Sequence, residues 1–168
     1  MRTVKKELAV FECLNVSSFM KDIRENPDKK NKLDGMSVRA LWNIKKTMQN
    51  IDAVSNRFNE MKEQLEAEVR NRYSTDEYST EEIVPVKDSS GNDVEQKVRK
   101  IKDEYLSEYR KAIDEVNQKL RELLVDKEEV DVAWIDLDSE VENLHNLTLD
   151  DLDILSVFEK EETVEDAE

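Results

Sequence analysis

The sequence predicts a mainly α protein organised around a long antiparallel helical hairpin, with short N-terminal helices and a short C-terminal helix. Residues 37–73 and 93–126 each repeat apolar side chains at gaps of three or four, which is typical of one face of an amphipathic helix. The 168 residues include only two Gly and two Pro, so few turns are available. Because an apolar stripe needs cover in water, we expect the two helices to pair as in a coiled coil. A small β element at the hairpin tip, in the C-terminal arm or in both is left open.

The N-terminal segment leads into the first long helix. Residues 4–26 have the spacing of one or two short helices, which Asn26-Pro27 ends because a residue before proline is pushed out of helical geometry. A polar loop and a turn at Gly35 follow, and Ser37 is placed to cap the helix at 37–73. The apolar stripe of this helix consists of Val38, Leu41, Ile44, Met48, Ile51, Val54, Phe58, Met61, Leu65 and Val69.

The connection between the two predicted long helices, residues 74–92, loses the helical period. Within it, residues 83–86 are a β-like run, and residues 88–92 have the composition of a turn. A mobile tip, a small β-ribbon and a contact loop are all compatible with this segment. Asp93 followed by Gln96 resembles a capping box, which predicts that the second helix starts at residue 93.

After residue 126 the pattern changes from helical to extended. In the arm at 128–138, Val130, Val132 and Trp134 alternate with polar or small residues, as in a strand laid along the helices. Thr148 and Asp151 then form a capping signal for a final helix at 148–158. We therefore expect residues 1–158 to form a single helical domain and residues 159–168 to form a disordered acidic tail.

Charge is distributed unevenly along the chain. The net charge is −15, and residues 126–168 carry 17 acidic and two basic side chains, while the remainder of the chain is balanced. A nucleic-acid-binding protein would show the opposite asymmetry, so direct binding of DNA or RNA is not expected. No apolar run approaches the roughly 18 residues that span a bilayer. We therefore expect a cytoplasmic protein that does not bind membranes.

The sequence offers little for catalysis or for binding a cofactor or metal. A single cysteine, Cys13, and a single histidine, His145, exclude an internal disulfide and leave few residues for a metal site or a nucleophilic triad. A calcium loop that begins at Asp136 fails, because Val141 and Leu147 occupy the positions that require glycine and glutamate. We predict no catalytic residue, no cofactor and no metal.

The order of these segments resembles an uncharacterised family of small helical proteins encoded by tailed phages of Gram-positive bacteria. The resemblance covers about residues 4–158. It rests on residues 35–37 leading into LWNIKKTMQNIDAVSNRFNEMKEQL, on the LRELL stretch at residues 120–124, and on the segments EVDVAWIDL and LTLDDLDIL. It implies a phage origin and a non-enzymatic accessory role, and it implies no catalytic residues.

We expect the chain to act through protein–protein contacts as a phage accessory factor, in virion assembly, within the cytoplasm of the infected cell. Association with the virion and homo-oligomerisation are left open. The alternative is an acidic decoy that presents carboxylates as phosphate surrogates to a nucleic-acid-binding or defence protein of the host. The candidate contact residues are Trp134 and Trp42 for an assembly contact, and Asp150, Asp151 and Asp153 for a decoy.

Overall fold

A computed structural model describes residues 3–160 of the chain. Its secondary structure consists, in order, of β1 (Thr3–Ala9), α1 (Val10–Glu25), α2 (Val38–Tyr73), β2 (Ser79–Lys87), β3 (Asp93–Ile101), α3 (Leu106–Val125), β4 (Lys127–Ala133), α4 (Leu137–Val141) and α5 (Leu149–Leu155). Short 3₁₀ turns precede α3, at Asp103–Tyr105, and follow α5, at Ser156–Phe158. The chain divides into two compact units: unit 1 is Met1–Phe58 with Leu123–Glu168, and unit 2 is Asn59–Glu122. The predicted tail at 159–168 lies, apart from Glu159 and Lys160, outside the described residues.

The predicted long antiparallel helical hairpin is wrong. α2 occupies the place of the first predicted helix, but β2 and β3 pair as an antiparallel ribbon within residues 79–101. The returning helix, α3, begins only at Leu106 and has 20 residues. The region predicted as one helix from 93 to 126 is therefore a strand followed by a shorter helix.

The error has a physical cause in the short apolar pattern of β3. Val94, Val98 and Ile101 are spaced as on a helix, but Val94 and Val98 also fall on one face of a strand with a two-residue period. Local spacing does not distinguish these states over so few residues. The pairing of β3 with β2, which places Val86 opposite Val94, decides for the strand.

The N-terminal prediction fails for the same reason. β1 is a strand where a short helix was expected, and it pairs antiparallel with β4. Lys5 and Glu129 form an ion pair across this sheet although they are 124 positions apart in the sequence. Val4 and Leu8 fit one face of a helix as well as one face of a strand, so only the distant partner selects the strand.

Unit 1 has a hydrophobic core to which the β1–β4 sheet, α1, the N-terminal part of α2 and the chain after β4 all contribute. Phe58, a member of the predicted helical stripe, packs half-buried against this cluster. The members of the core with no more than about 1% exposure include Cys13, Val16, Ile44, Ile51, Val132, Leu155 and Phe158.

Polar side chains of α2 hydrogen-bond to the backbone of β4. The buried hydroxyl of Thr47 accepts the N–H of Ala133 at 2.9 Å, and the side-chain amide of Asn50 donates to the carbonyl of Asp131 at 2.9 Å. These contacts satisfy backbone groups that β1 does not pair, so the helix takes the place of a third strand at this edge.

Unit 2 has an aromatic cluster. All four tyrosines of the chain, Tyr73, Tyr78, Tyr105 and Tyr109, form a chain of edge-to-face contacts with ring centroids 4.9 to 5.2 Å apart. They lie at the end of α2, before β2, after β3 and at the start of α3. The hydroxyl of Tyr73 donates to the carboxylate of Glu108 at 3.0 Å. The cluster thus joins the base of the β2–β3 ribbon to the two helices.

Candidate functional site

The N-terminal part of α2 exposes an apolar and basic face. Val38, Leu41 and Trp42 are 84%, 40% and 54% exposed, and their spacing of three and four places them on one side of the helix. The Nζ atoms of Lys45 and Lys46 lie 5.5 and 5.6 Å from the centroid of the Trp42 ring, within the range of a cation–π contact. We term these five residues the Trp42 face. An exposed indole beside two ammonium groups suits a ligand that is both apolar and anionic.

A cavity of about 270 Å³ adjoins this face. The cavity lies close to the Trp42 face because two of its lining residues, Arg39 and Asn43, directly follow Val38 and Trp42 in α2. We term it the Trp134 cavity. Its lining includes Arg39, Asn43, Trp134, Ile135, Asp136 and Glu140. Trp134 is half-buried, and the side-chain amide of Asn43 donates to the Trp134 carbonyl at 2.9 Å. This hydrogen bond holds the segment after β4 against α2.

The two carboxylates of the Trp134 cavity are engaged within the fold. Glu140 accepts the backbone N–H of Ser37 at 2.7 Å and also accepts the Ser37 hydroxyl. The same hydroxyl oxygen accepts the N–H of Ala40 at 3.2 Å, as a residue at a helix N-terminus does. Asp136 caps α4 by accepting the N–H and the hydroxyl of Ser139. Both carboxylates therefore stabilise helix starts.

Basic side chains outnumber acidic ones on the part of α2 that borders the site. Arg39 is exposed and has no ion-pair partner among residues 3–160. Residues 38–51 contain three basic side chains and no acidic one, although the chain as a whole carries a net charge of −15. A planar guanidinium at the rim of a cavity can bind a carboxylate through two parallel hydrogen bonds. The arrangement therefore suits a carboxylate-bearing ligand.

The structure separates the five residues that the sequence marked as contact candidates. Trp42 is exposed on α2, and Trp134 lines the cavity, so both belong to the site. Asp150 and Asp153 are exposed on α5, and Asp151 is buried. The aspartates therefore do not form one exposed acidic cluster.

Asp151 has a structural role. Its carboxylate forms an ion pair with Lys32 in which the two side chains are 10% and 15% exposed, and it accepts the N–H of Thr148 at 2.9 Å in the capping box that starts α5. Burial disfavours the charged form, but the hydrogen bonds from Lys32 and Thr148 and the charge of Lys32 outweigh burial and lower the pKa of Asp151. A carboxylate committed in this way is not a phosphate surrogate.

Other reactive side chains do not form a site. Cys13 is fully buried, and burial, with a smaller contribution from Glu12, raises the pKa of its thiol to about 11. His145 is exposed. In the described part of the chain, no three His, Cys, Asp or Glu side chains are grouped so as to hold a metal ion. None of the helices within residues 3–160 is long and apolar enough to cross a membrane.

The sequence prediction missed Arg39 and Lys45. A signal was present, because the acid-free stretch at 38–51 stands out in a chain in which 41 of 168 residues are acidic. This local excess of basic side chains is hidden when the net charge is taken over residues 1–125, where acidic and basic side chains are equal in number. Comparisons with protein-family models, with curated proteins and with solved structures find no match to this chain.

Proposed function

We propose that unit 1 is a non-enzymatic protein-binding module that captures an acidic segment of a partner protein through the Trp42 face and the Trp134 cavity. The observation that carries the proposal is the exposed indole of Trp42, which is flanked by Lys45 and Lys46. The exposed side chain of Arg39 lies on the same part of α2. An apolar side chain of the partner would pack on Trp42 and Leu41. Its carboxylates would pair with Arg39 and Lys45.

The size of the cavity supports a protein ligand. Small-molecule and cofactor sites commonly enclose about 300–1,000 Å³, and the Trp134 cavity, at about 270 Å³, is smaller. A cavity of this size suits one inserted side chain of a longer segment. Aromatic anchors of this kind contribute about 2 kcal/mol or more to binding, and the surrounding charges add orientation and a faster association rate.

The acidic decoy has less support. A decoy needs many carboxylates that are free to meet a basic partner, but at least five of the twelve acidic side chains at residues 126–160 are engaged within the fold. The carboxylates with ion-pair or hydrogen-bond partners there include Glu128, Glu129, Asp136, Glu140 and Asp151. The phage origin and the accessory role in assembly are part of the proposal and rest on the resemblance of the sequence. The cytoplasmic location is also part of the proposal and rests on the short apolar runs of the sequence.

The test is selection of peptide ligands from a random display library against the full chain. The site variant is Arg39→Gln/Lys45→Gln, and the matched control is Lys21→Gln/Lys30→Gln, which removes the same charge from exposed positions elsewhere in unit 1. We expect the selected peptides to combine Asp or Glu with an aromatic or aliphatic residue. Their affinity should fall about tenfold or more in the site variant, which corresponds to about 1.4 kcal/mol, and should be little changed in the control.

A second pair of variants separates the proposal from the decoy. Trp42→Ala should weaken the selected peptides strongly, whereas Asp150→Asn/Asp153→Asn should leave them bound, because both aspartates lie outside the Trp42 face. Circular dichroism verifies that each variant is folded. Selection of basic peptides that are lost on Asp150→Asn/Asp153→Asn and retained by Trp42→Ala would overturn the proposal in favour of the decoy.

A further inference from the structure

The β2–β3 ribbon of unit 2 has an open edge. Among residues 3–160 it is a two-stranded sheet with which no third strand pairs, and β3 is exposed except at the half-buried Val98 and Ile101. A ribbon of two strands is marginally stable by itself, and three or more strands are commonly needed for a stable sheet. The ribbon therefore has both the space and a physical reason to add a strand.

The hydrogen-bond pattern determines which backbone groups of β3 face outward. In the register of the ribbon, the N–H of Asp88 donates to the carbonyl of Asn92 at one end, and the N–H of Lys102 donates to the carbonyl of Tyr78 at the other, each at 2.9 Å. Bonded and non-bonded pairs alternate along an antiparallel ladder, so the even-numbered residues of β3 are the ones bonded to β2. The N–H and carbonyl groups of the odd-numbered residues therefore point to the outer edge. These residues are Asp93, Glu95, Lys97, Arg99 and Ile101.

The outer edge of β2 is less suited to pairing. Pro85 lies opposite Glu95, so it occupies an outward-facing position of β2, and proline supplies no N–H there. Proline on an edge strand is one of the ways in which proteins protect a sheet from unwanted pairing. An added strand is therefore expected on β3.

The sequence of β3 is complementary to itself in the antiparallel direction. When two copies are aligned with Gln96 opposite Gln96, Glu95 of each copy lies opposite Lys97 of the other. Val94 lies opposite Val98 in the same way. Opposite charges and β-branched side chains directly across from each other stabilise a sheet, whereas like charges destabilise it. The two neighbouring registers that also bring outward-facing groups together place Glu95 opposite Glu95 or Lys97 opposite Lys97, so the charges select one register.

The charges that select this register are little engaged within the chain. Glu95 has no ion-pair partner among residues 3–160. Lys97 has an ion pair with Glu81 at 3.8 Å in which the side chains are 71% and 54% exposed, and such exposed pairs contribute little. Arg99 already donates to Asp76 at 2.8 Å, so its charge is not needed for the selection.

We propose that the chain forms a two-fold symmetric dimer through antiparallel pairing of two β3 strands, with Gln96 opposite Gln96. A two-fold interface requires a surface that is complementary to itself, and Glu95 with Lys97 supplies one. The product is a four-stranded sheet in the order β2–β3–β3–β2, and one of its faces collects four valines from each copy: Val84, Val86, Val94 and Val98. The contact is small, so we expect a reversible dimer. It lies in unit 2 and does not depend on the Trp42 face of unit 1.

Charge reversal followed by analytical ultracentrifugation, from micromolar to millimolar concentration, tests the contact and its register. Glu95→Lys and Lys97→Glu each place like charges opposite one another, so each variant alone should dimerise about tenfold or more weakly than wild type. The first variant has positive charge at positions 95 and 97, and the second has negative charge at both. An equimolar mixture should therefore restore the dimer. The matched controls Glu115→Lys and Lys111→Glu make the same charge changes at exposed positions of α3 and should dimerise like wild type.

A cysteine on the two-fold axis provides an independent measurement. Gln96 and its copy would form a non-bonded pair with Cα atoms about 4.5 Å apart, within the range of about 4.4–6.8 Å that a disulfide spans. Gln96→Cys should therefore form a covalent dimer when oxidised with diamide. Thr80→Cys, exposed on the same face of β2, would lie at least about 14 Å from its copy, which is three strand spacings, and should remain monomeric. Cys13, the single cysteine of the chain, is buried and should not compete.

Several results would contradict the dimer. A wild-type chain that stays monomeric throughout the concentration series would overturn the inference, as would equal yields of covalent dimer from Gln96→Cys and Thr80→Cys. Dimerisation of the two charge-reversal variants at the wild-type level would also overturn it, because the contact would then lie on another surface. Library peptides that bind the Trp42 face should bind wild type and Glu95→Lys equally, so failure of the dimer and failure of the proposed function are distinguishable.

Discussion

Replacing Asp151 with asparagine should destabilise unit 1 by about 2–3 kcal/mol at neutral pH, although the two side chains have nearly the same shape. The asparagine carbonyl can still accept the N–H of Thr148, so the helix cap is retained and only the charge is lost. What remains is the ammonium of Lys32, with its side chain 85% removed from solvent and without its counter-charge. The substitution therefore isolates the cost of an uncompensated buried charge.

The magnitude follows from the burial of the pair. Exposed ion pairs contribute about 0–1 kcal/mol, and removing one partner of a fully buried pair costs about 3–5 kcal/mol. Lys32 and Asp151 lie nearer the buried limit, but Lys32 retains some contact with water. Lys32→Met should cost a similar amount, and Lys32→Met/Asp151→Asn should recover most of the loss because no charge is then left buried.

The sign of the pH dependence follows from the lowered pKa of Asp151. A carboxyl whose pKa is lower in the folded state contributes stability above its unfolded-state pKa, and this stability is lost as the pH falls through the folded pKa. The difference between wild type and Asp151→Asn should therefore be full at pH 7. It should shrink as the pH falls below the ordinary aspartate value of about 3.9.

Urea denaturation followed by tryptophan emission measures this difference in unit 1. Both tryptophans, Trp42 and Trp134, lie in unit 1, and all four tyrosines lie in unit 2, so the two signals report on different units. Asp150→Asn, which removes a neighbouring exposed charge, should change the unfolding free energy by no more than about 0.5 kcal/mol. If Asp151→Asn behaved like this control and its effect did not vary with pH, the buried ion pair would be ruled out.

Three further changes test other parts of the fold. Thr47→Val should lower the free energy of unfolding by about 1–3 kcal/mol, because it leaves the buried N–H of Ala133 without an acceptor. Thr47→Ser keeps a hydroxyl and should retain most of the stability. Equal decreases in the urea midpoint of the two variants would contradict this role of Thr47. Tyr73→Ala should lower the free energy of unfolding by about 3–5 kcal/mol and abolish the near-UV circular dichroism of the tyrosines. Tyr73→Phe should lower the free energy of unfolding by only about 1 kcal/mol. An unchanged spectrum in the alanine variant would contradict the tyrosine cluster. Cys13, fully buried and with its pKa raised to about 11, should react with a disulfide reagent at pH 8 only in denaturant, and rapid reaction in buffer would show that the thiol is accessible.

Local signals in the sequence determined several elements without tertiary information. The apolar stripe from Val38 onward predicted α2, which ends at Tyr73, and the Thr148–Asp151 capping box predicted the start of α5. The turn composition at residues 88–92 also lies where the two strands of the ribbon meet. These signals succeed because the contacts that stabilise a helix start or a tight turn lie within about four residues.

The strands and the roles of charged residues were decided by the tertiary structure. β1 and β3 carry spacings that suit a helix or a strand, and the choice depends on pairing with β4 and β2. The sequence identified Trp42 and Trp134 as candidate contacts, but it did not separate Asp151 from Asp150. The burial of Asp151 depends on Lys32, a residue 119 positions away. Periodicity indicates which side of a segment is apolar. Chain segments that are distant in sequence decide which element packs on that side and which neighbouring charged side chains are paired.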